Sequence, residues 1–118
     1  MPAEPARLHA KAPKTPAAPR HLTAESKRFW RQVTSEYLLE SHHLALLERA
    51  CEAMDRMREA QAAIERDGAY VAGRFGPRAH PALAVERDSR LAFARFVREL
   101  GLDLSAPATS RPPTRWRS

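Results

Sequence analysis

The side chains of this 118-residue chain that can ligate a metal or move a proton include five histidines, one cysteine and fourteen carboxylates. Their spacing does not converge on a catalytic set. His42 and His43 are adjacent, so on a helix they point about 100° apart and lack the i, i+4 arrangement of a paired helical metal ligand. His80 precedes Pro81, where a histidine most simply caps or orients the following helix. Cys51 falls on an apolar stripe, the position of a thiol acting as a small hydrophobe. Glu48 with Glu52, and Asp55 with Glu59, alternate with arginines at helical spacing, the pattern of a solvated, ion-paired face. Gly68, Gly73 and Gly76 lack the spacing and the following lysine of a phosphate-cradling loop. The expectation is a non-enzyme with no catalytic residue, no metal ligand and no cofactor.

The basic side chains form a clearer pattern. The formal net charge is +6, and most of the excess lies at the ends: four basic against one acidic residue in 1–21, thirteen against twelve in 22–102, three against one in 103–118. A polyanionic partner fits this distribution. Arg7, Lys11, Lys14 and Arg20 in the N-terminal segment, with Lys27, Arg28 and Arg31 just beyond it, are the candidate DNA contacts. Such residues neutralise phosphates and release counterions without reading bases. Basic tails also serve as plain solubilising extensions. Trp116, between Arg115 and Arg117, has the chemistry to stack on a base or to dock on a partner.

These residues must be positioned by a small scaffold. Residues 1–21 alternate Pro, Ala and basic residues with little to bury and read as a disordered basic tail. Thr23, followed by Glu25, suits an N-cap with an acid in the first turn. The helix it opens carries Phe29, Trp30, Val33 and Tyr37 on one stripe. Near Leu39 the pattern loses phase, and Ser41 is a candidate cap for a second helix running to about Asp67. In that helix Leu44, Leu47, Cys51, Met54, Arg58, Gln61 and Ile64 keep a three-four repeat. At 1.5 Å per residue it spans about 39 Å, more than a small core requires. Leu44, Leu47, Cys51, Met54, Met57 and Ile64 are therefore assigned to the core or to an interface between copies.

Gly68 supplies a helix stop, and 69–81 reads as a short hairpin or ordered loop with Tyr70, Val71 and Phe75 as buried anchors. His80-Pro81 opens a third helix whose apolar side is Leu83, Val85, Phe93, Phe96, Val97 and Leu100, ended by Gly101. The fold class expected is mainly all-α: a helical domain over 22–102 with a long central helix hairpin, a short β-hairpin or loop insertion, and disordered basic tails at 1–21 and 103–118. A single cysteine precludes an intramolecular disulfide, and no apolar run approaches the roughly 18 residues of a membrane span. Nor does the N-terminus show the apolar core of a signal peptide. A soluble protein of the cytoplasm, with no membrane partner, is the expectation.

Taken in order, several blocks resemble a known family. Ala18-Pro19-Arg20-His21-Leu22-Thr23-Ala24-Glu25-Ser26-Lys27-Arg28-Phe29-Trp30 looks like the opening of the short phage terminase small subunits. His43-Leu44-Ala45-Leu46-Leu47, Ala50-Cys51-Glu52-Ala53 and Asp67-Gly68 resemble a second block. Phe75-Gly76, His80-Pro81-Ala82 and Arg98-Glu99-Leu100-Gly101-Leu102 resemble the last. The C-terminus departs from the pattern, continuing through Ser105, Pro107 and Pro112 to Trp116.

The resemblance implies a non-catalytic protein of the host cytoplasm that binds double-stranded phage DNA. It also implies a ring-like homo-oligomer that recruits or regulates a terminase large subunit, the owner of the ATPase and nuclease. The alternative reading is a small helical DNA-binding transcriptional regulator, against which stands the lack of two short helices joined by a tight glycine turn. A small nuclease is a third class, without a convergent acid, histidine and metal set.

Overall fold

The computed structural model describes residues 15–102. Three helices and one two-stranded hairpin follow in chain order: α1 (Ala24–Glu36), α2 (Ser41–Asp67), β1 (Tyr70–Gly73), β2 (Gly76–Ala79) and α3 (Ala82–Leu100). The molecule is mainly helical, as the sequence leads one to expect.

Helix α1 begins where its cap chemistry dictates. Thr23 is in extended conformation and its hydroxyl accepts the Ser26 N–H at 3.3 Å, while Glu25 lies in the first turn. The stripe Trp30 and Val33 is buried, with Phe29 and Tyr37 packed against it. Contacts between Ser26 and Cys51, Thr23 and Asp55, and Glu25 and Arg58 show that α1 runs antiparallel along the first half of α2.

Helix α2 starts one residue earlier than its polar signature suggests. Glu40, not Ser41, is the N-cap, and its backbone N–H donates to His43 Nδ1 at 3.1 Å in a capping-box arrangement. Ser41 is the first helical residue; an acceptor three positions on closes the turn equally well. After 27 residues the helix stops at Gly68, whose φ of 87° is accessible to glycine without strain.

The hairpin is regular, with Tyr70 opposite Ala79 and Gly73 opposite Gly76. Its aromatic residues are not the buried anchors expected. Tyr70 is 70% and Phe75 95% exposed, and Val71 alone of the three is half-buried. A two-stranded ribbon has no second layer of its own to pack on, and among the described residues it shares no extensive contact with a helix.

At the start of α3, Pro81 occupies the position just before the first helical residue. His80 Nδ1 accepts the Ala82 N–H at 2.9 Å, and its Nε2 faces Asp67 Oδ2 at 2.9 Å. His80 thus caps and orients the helix while tying it to the end of α2. Helix α3 returns along α2, and this pair shares the most extensive contact in the fold. Leu83, Phe93, Phe96 and Val97 are half-buried and Leu100 fully buried, whereas Val85 is 43% exposed and does not belong to the packed side.

Gly101, left-handed at φ 78° and ψ 18°, ends α3. Its N–H bonds to Arg98 O and the N–H of Leu102 to Val97 O, a Schellman turn that folds buried Leu102 back onto the core near Val97.

The core joins Leu22, Trp30, Val33, Leu47, Cys51, Leu100 and Leu102. Residues 15–21, which the sequence reading placed with the tail, run against it. Ala18 packs on the cluster, Trp30 Nε1 donates to Pro16 O at 2.9 Å, and His21 Nε2 meets Glu52 Oε2 at 2.7 Å.

Candidate nucleic-acid interface

Of the candidate DNA contacts, Arg7, Lys11 and Lys14 lie outside the described residues, as do Trp116 and the segment 103–118. Arg20, Lys27, Arg28 and Arg31 are described. The last three project from α1 at positions that do not enter the core: Arg28 and Arg31 are exposed and Lys27 half-buried. None of the four forms an ion pair among the described residues.

Several arginines of the other two helices are paired, whereas Arg56, Arg95 and Arg98 have no ion pair among the described residues. Arg49 pairs with Glu52 at 2.9 Å, Arg58 with Glu25 at 3.1 Å, Arg66 with Asp67 at 3.0 Å and Arg90 with Glu86 at 3.3 Å. Glu25, the one acid in the first turn of α1, is paired with Arg58 of α2 at the surface. The outer face of α1 therefore carries Arg28 and Arg31 with no acidic partner among the described residues.

The residues assigned to core or interface divide in the same way. Leu47 and Cys51 are fully buried within one chain and Met54 is 8% exposed, so these three belong to the core. Leu44, Met57 and Ile64 are only half-buried and retain surface for another molecule.

Groups with chemical potential are quenched or engaged. Burial, with the nearby Asp55, Glu48 and Glu52 charges adding to it, pushes the Cys51 thiol up to about 12, so it is neither a thiolate nor accessible. Its Sγ instead donates to Ser26 O at 3.5 Å.

Three ligand-type atoms meet at two places among the described residues. One joins Glu40, His42 and His43, the two rings lying 4.1 Å apart. Adjacency did not keep these rings apart, because the start of α2 lets both swing toward Glu40. Desolvation, then the neighbouring His42, lowers the His43 pKa, and its Nδ1 is already an acceptor in the cap. The other place joins His21, Glu48 and Glu52, a cluster that the sequence could not show because His21 comes from a different segment. There a 2.7 Å contact between His21 and Glu52, and the Arg49 pair, engage both carboxylate oxygens of Glu52.

At the far end of α2, a hydrogen bond from Arg66, then one from His80, holds the Asp67 carboxyl down to about 2. Arg90 and then Gln61 similarly hold Glu86 below its ordinary range, and Gln61 Nε2 to Glu86 Oε2 at 3.2 Å bridges α2 to α3. These are structural links.

The described residues form a small helical domain, a helical hairpin flanked by a third helix whose Lys27, Arg28 and Arg31 have no ion pair among those residues. The sequence pattern of the family described as phage terminase, small subunit, matches residues 23–115, and the chain belongs to that family. No curated protein and no solved structure matches it. Membership ties the chain to phage DNA packaging. No helix among the described residues is long and apolar enough to cross a membrane.

Proposed function

We propose that the chain is a non-catalytic terminase small subunit that binds double-stranded phage DNA, assembles with copies of itself into a ring, and recruits or regulates the large subunit that carries ATPase and nuclease. The observation that carries the DNA-binding part is the run of unpaired cations leading into and along α1. Arg20, Lys27, Arg28 and Arg31 follow one another over twelve residues with no acidic partner among the described residues, while Glu25, the acid between them, is paired with Arg58 of α2.

An exposed cation without a partner is ready to exchange its counterions for phosphate. Residues 15–21, held on the core through Pro16, Ala18 and His21, bring Arg20 to the start of this helix, and the basic Arg7, Lys11 and Lys14 of the same tail are assigned to further phosphate contacts. Assembly is supported by the half-buried Leu44, Met57 and Ile64 on a helix about 40 Å long. Repetition of one basic face around a closed oligomer multiplies weak phosphate contacts into stable retention.

Fluorescence anisotropy of a labelled duplex, with light scattering on the same samples, tests the reading. The expected result is salt-sensitive binding by a multi-copy species. A monomer that ignores duplex DNA at low salt overturns it.

A further inference from the structure

The β-hairpin between α2 and α3 presents its most apolar side chain to water. Phe75 stands at the tip, 95% exposed, and Tyr70 at the base is 70% exposed. Over residues 69–79 the charged side chains are Arg74 and Arg78, with no acid among them. The Arg74 guanidinium lies 5.4 Å from the Phe75 ring centroid, and neither arginine has an ion pair among the described residues.

The ribbon that carries them is rigidly built. A Cβ at Gly73 would meet Gly76 O at 2.7 Å and Arg78 Cδ at 2.9 Å, so the strands close at the tip to a distance that only glycine permits. Gly76 sits at φ 117°, which L side chains rarely adopt. At the base, His80 N–H donates to Ala69 O at 2.8 Å and the His80 ring is held by Asp67.

We infer that this tip is a wedge for duplex DNA, Phe75 entering between two base pairs from the minor groove while Arg74 and Arg78 face the flanking phosphates. The inference rests on the DNA-binding reading above and deepens it. Charge complementarity selects the occupant: an apolar tip bracketed by cations, with no anion on the ribbon, matches a polyanion that offers stacked rings between its phosphates. Apolar wedges flanked by arginine are the chemistry by which minor-groove proteins unstack a base step.

The cost of unstacking is lowest at flexible pyrimidine–purine steps. The wedge therefore supplies a step preference that phosphate contacts from α1 do not carry.

The test uses the full chain and duplexes bearing 2-aminopurine beside a TA step or, in a matched duplex, a GC step. Binding of the unaltered protein is expected to raise the probe's fluorescence several-fold at TA and less at GC. Phe75→Ala, which removes no buried contact and should fold normally, is expected to keep the salt dependence of binding but leave the fluorescence at the level of free DNA. Phe75→Leu, still an apolar wedge, should restore much of the rise. Binding by the unaltered protein with no rise, or an undiminished rise with Phe75→Ala, overturns the wedge and leaves the DNA-binding reading standing. Failure of the unaltered protein to bind any duplex at low salt overturns that reading and the wedge together. If Phe75→Ala unstacks DNA normally but no longer associates with the large subunit, the tip belongs to a protein partner and the inference is wrong.

Discussion

Thr23 and Asp55 hold each other twice: the Thr23 hydroxyl donates to Asp55 Oδ1 at 2.6 Å, and the Thr23 backbone N–H donates to Oδ2 at 3.1 Å. The same hydroxyl accepts the Ser26 N–H that caps α1. The cap of the basic helix is thus fixed to the middle of α2, and with the buried Trp30 and Val33 and the pair of Glu25 with Arg58 it sets the direction of the helix and its cations.

Replacing Asp55 by Ala removes both bonds and loosens the cap. At this partly exposed site the expected cost is about 1 kcal/mol, a drop of about 4–8 °C in Tm for a domain of this size. Asp88→Ala, whose ion pair among the described residues is with exposed Arg87, should move stability by less than about 0.5 kcal/mol. Thermal melts followed by circular dichroism check the pair, and equal Tm values for the two variants contradict the assignment.

The junction at the end of α2 should be acid-sensitive. Asp67 is depressed in the folded chain from an ordinary 3.8 to about 2, chiefly by Arg66 and then by His80. A depressed carboxylate contributes stability that is present above its unfolded value and is lost as pH falls through the folded one. The difference in melting temperature between the unaltered chain and Asp67→Asn should therefore be constant above about pH 4 and shrink toward pH 2. A gap that persists unchanged down to about pH 2 contradicts the link.

Core and interface on α2 separate by substitution. Leu47 is fully enclosed within one chain, so Leu47→Ala is expected to cost about 2–5 kcal/mol through the fold itself. Met57 is half-buried, so in the assembly proposed above Met57→Glu should lower the mass read by light scattering while the helical circular dichroism signal stays. Unfolding by Met57→Glu at the severity of Leu47→Ala would assign Met57 to the core instead.

Much of this architecture is written locally. Thr23, Gly68 and Gly101 each mark a helix end through the bonding of one or two residues, and all three are legible in the sequence. His80 as a cap is legible for the same reason. Apolarity alone misleads at Phe75, Tyr70 and Val85, because a hydrophobic side chain announces no neighbour to bury it. Contacts between distant segments, such as His21 with Glu52 and Trp30 with Pro16, leave no periodic trace. Those contacts place residues 15–21 on the core and so present Arg20 beside α1. At the candidate interface, the residue types Lys27, Arg28 and Arg31 are readable, but the engagement of the nearby Glu25 by Arg58 of α2, which leaves them without an acidic partner among the described residues, is not.

The salt dependence of duplex binding tests the central claim most directly. Each phosphate contact contributes about 0.9 to the slope of log affinity against log salt, so Lys27→Ala, Arg28→Ala and Arg31→Ala combined should flatten the slope by up to about 3 per chain engaged. Unrelated and cognate duplexes should weaken together, because phosphate contacts carry no base information. A slope unchanged by the triple substitution, with affinity retained on both duplexes, contradicts the assignment of α1 as the DNA-binding face.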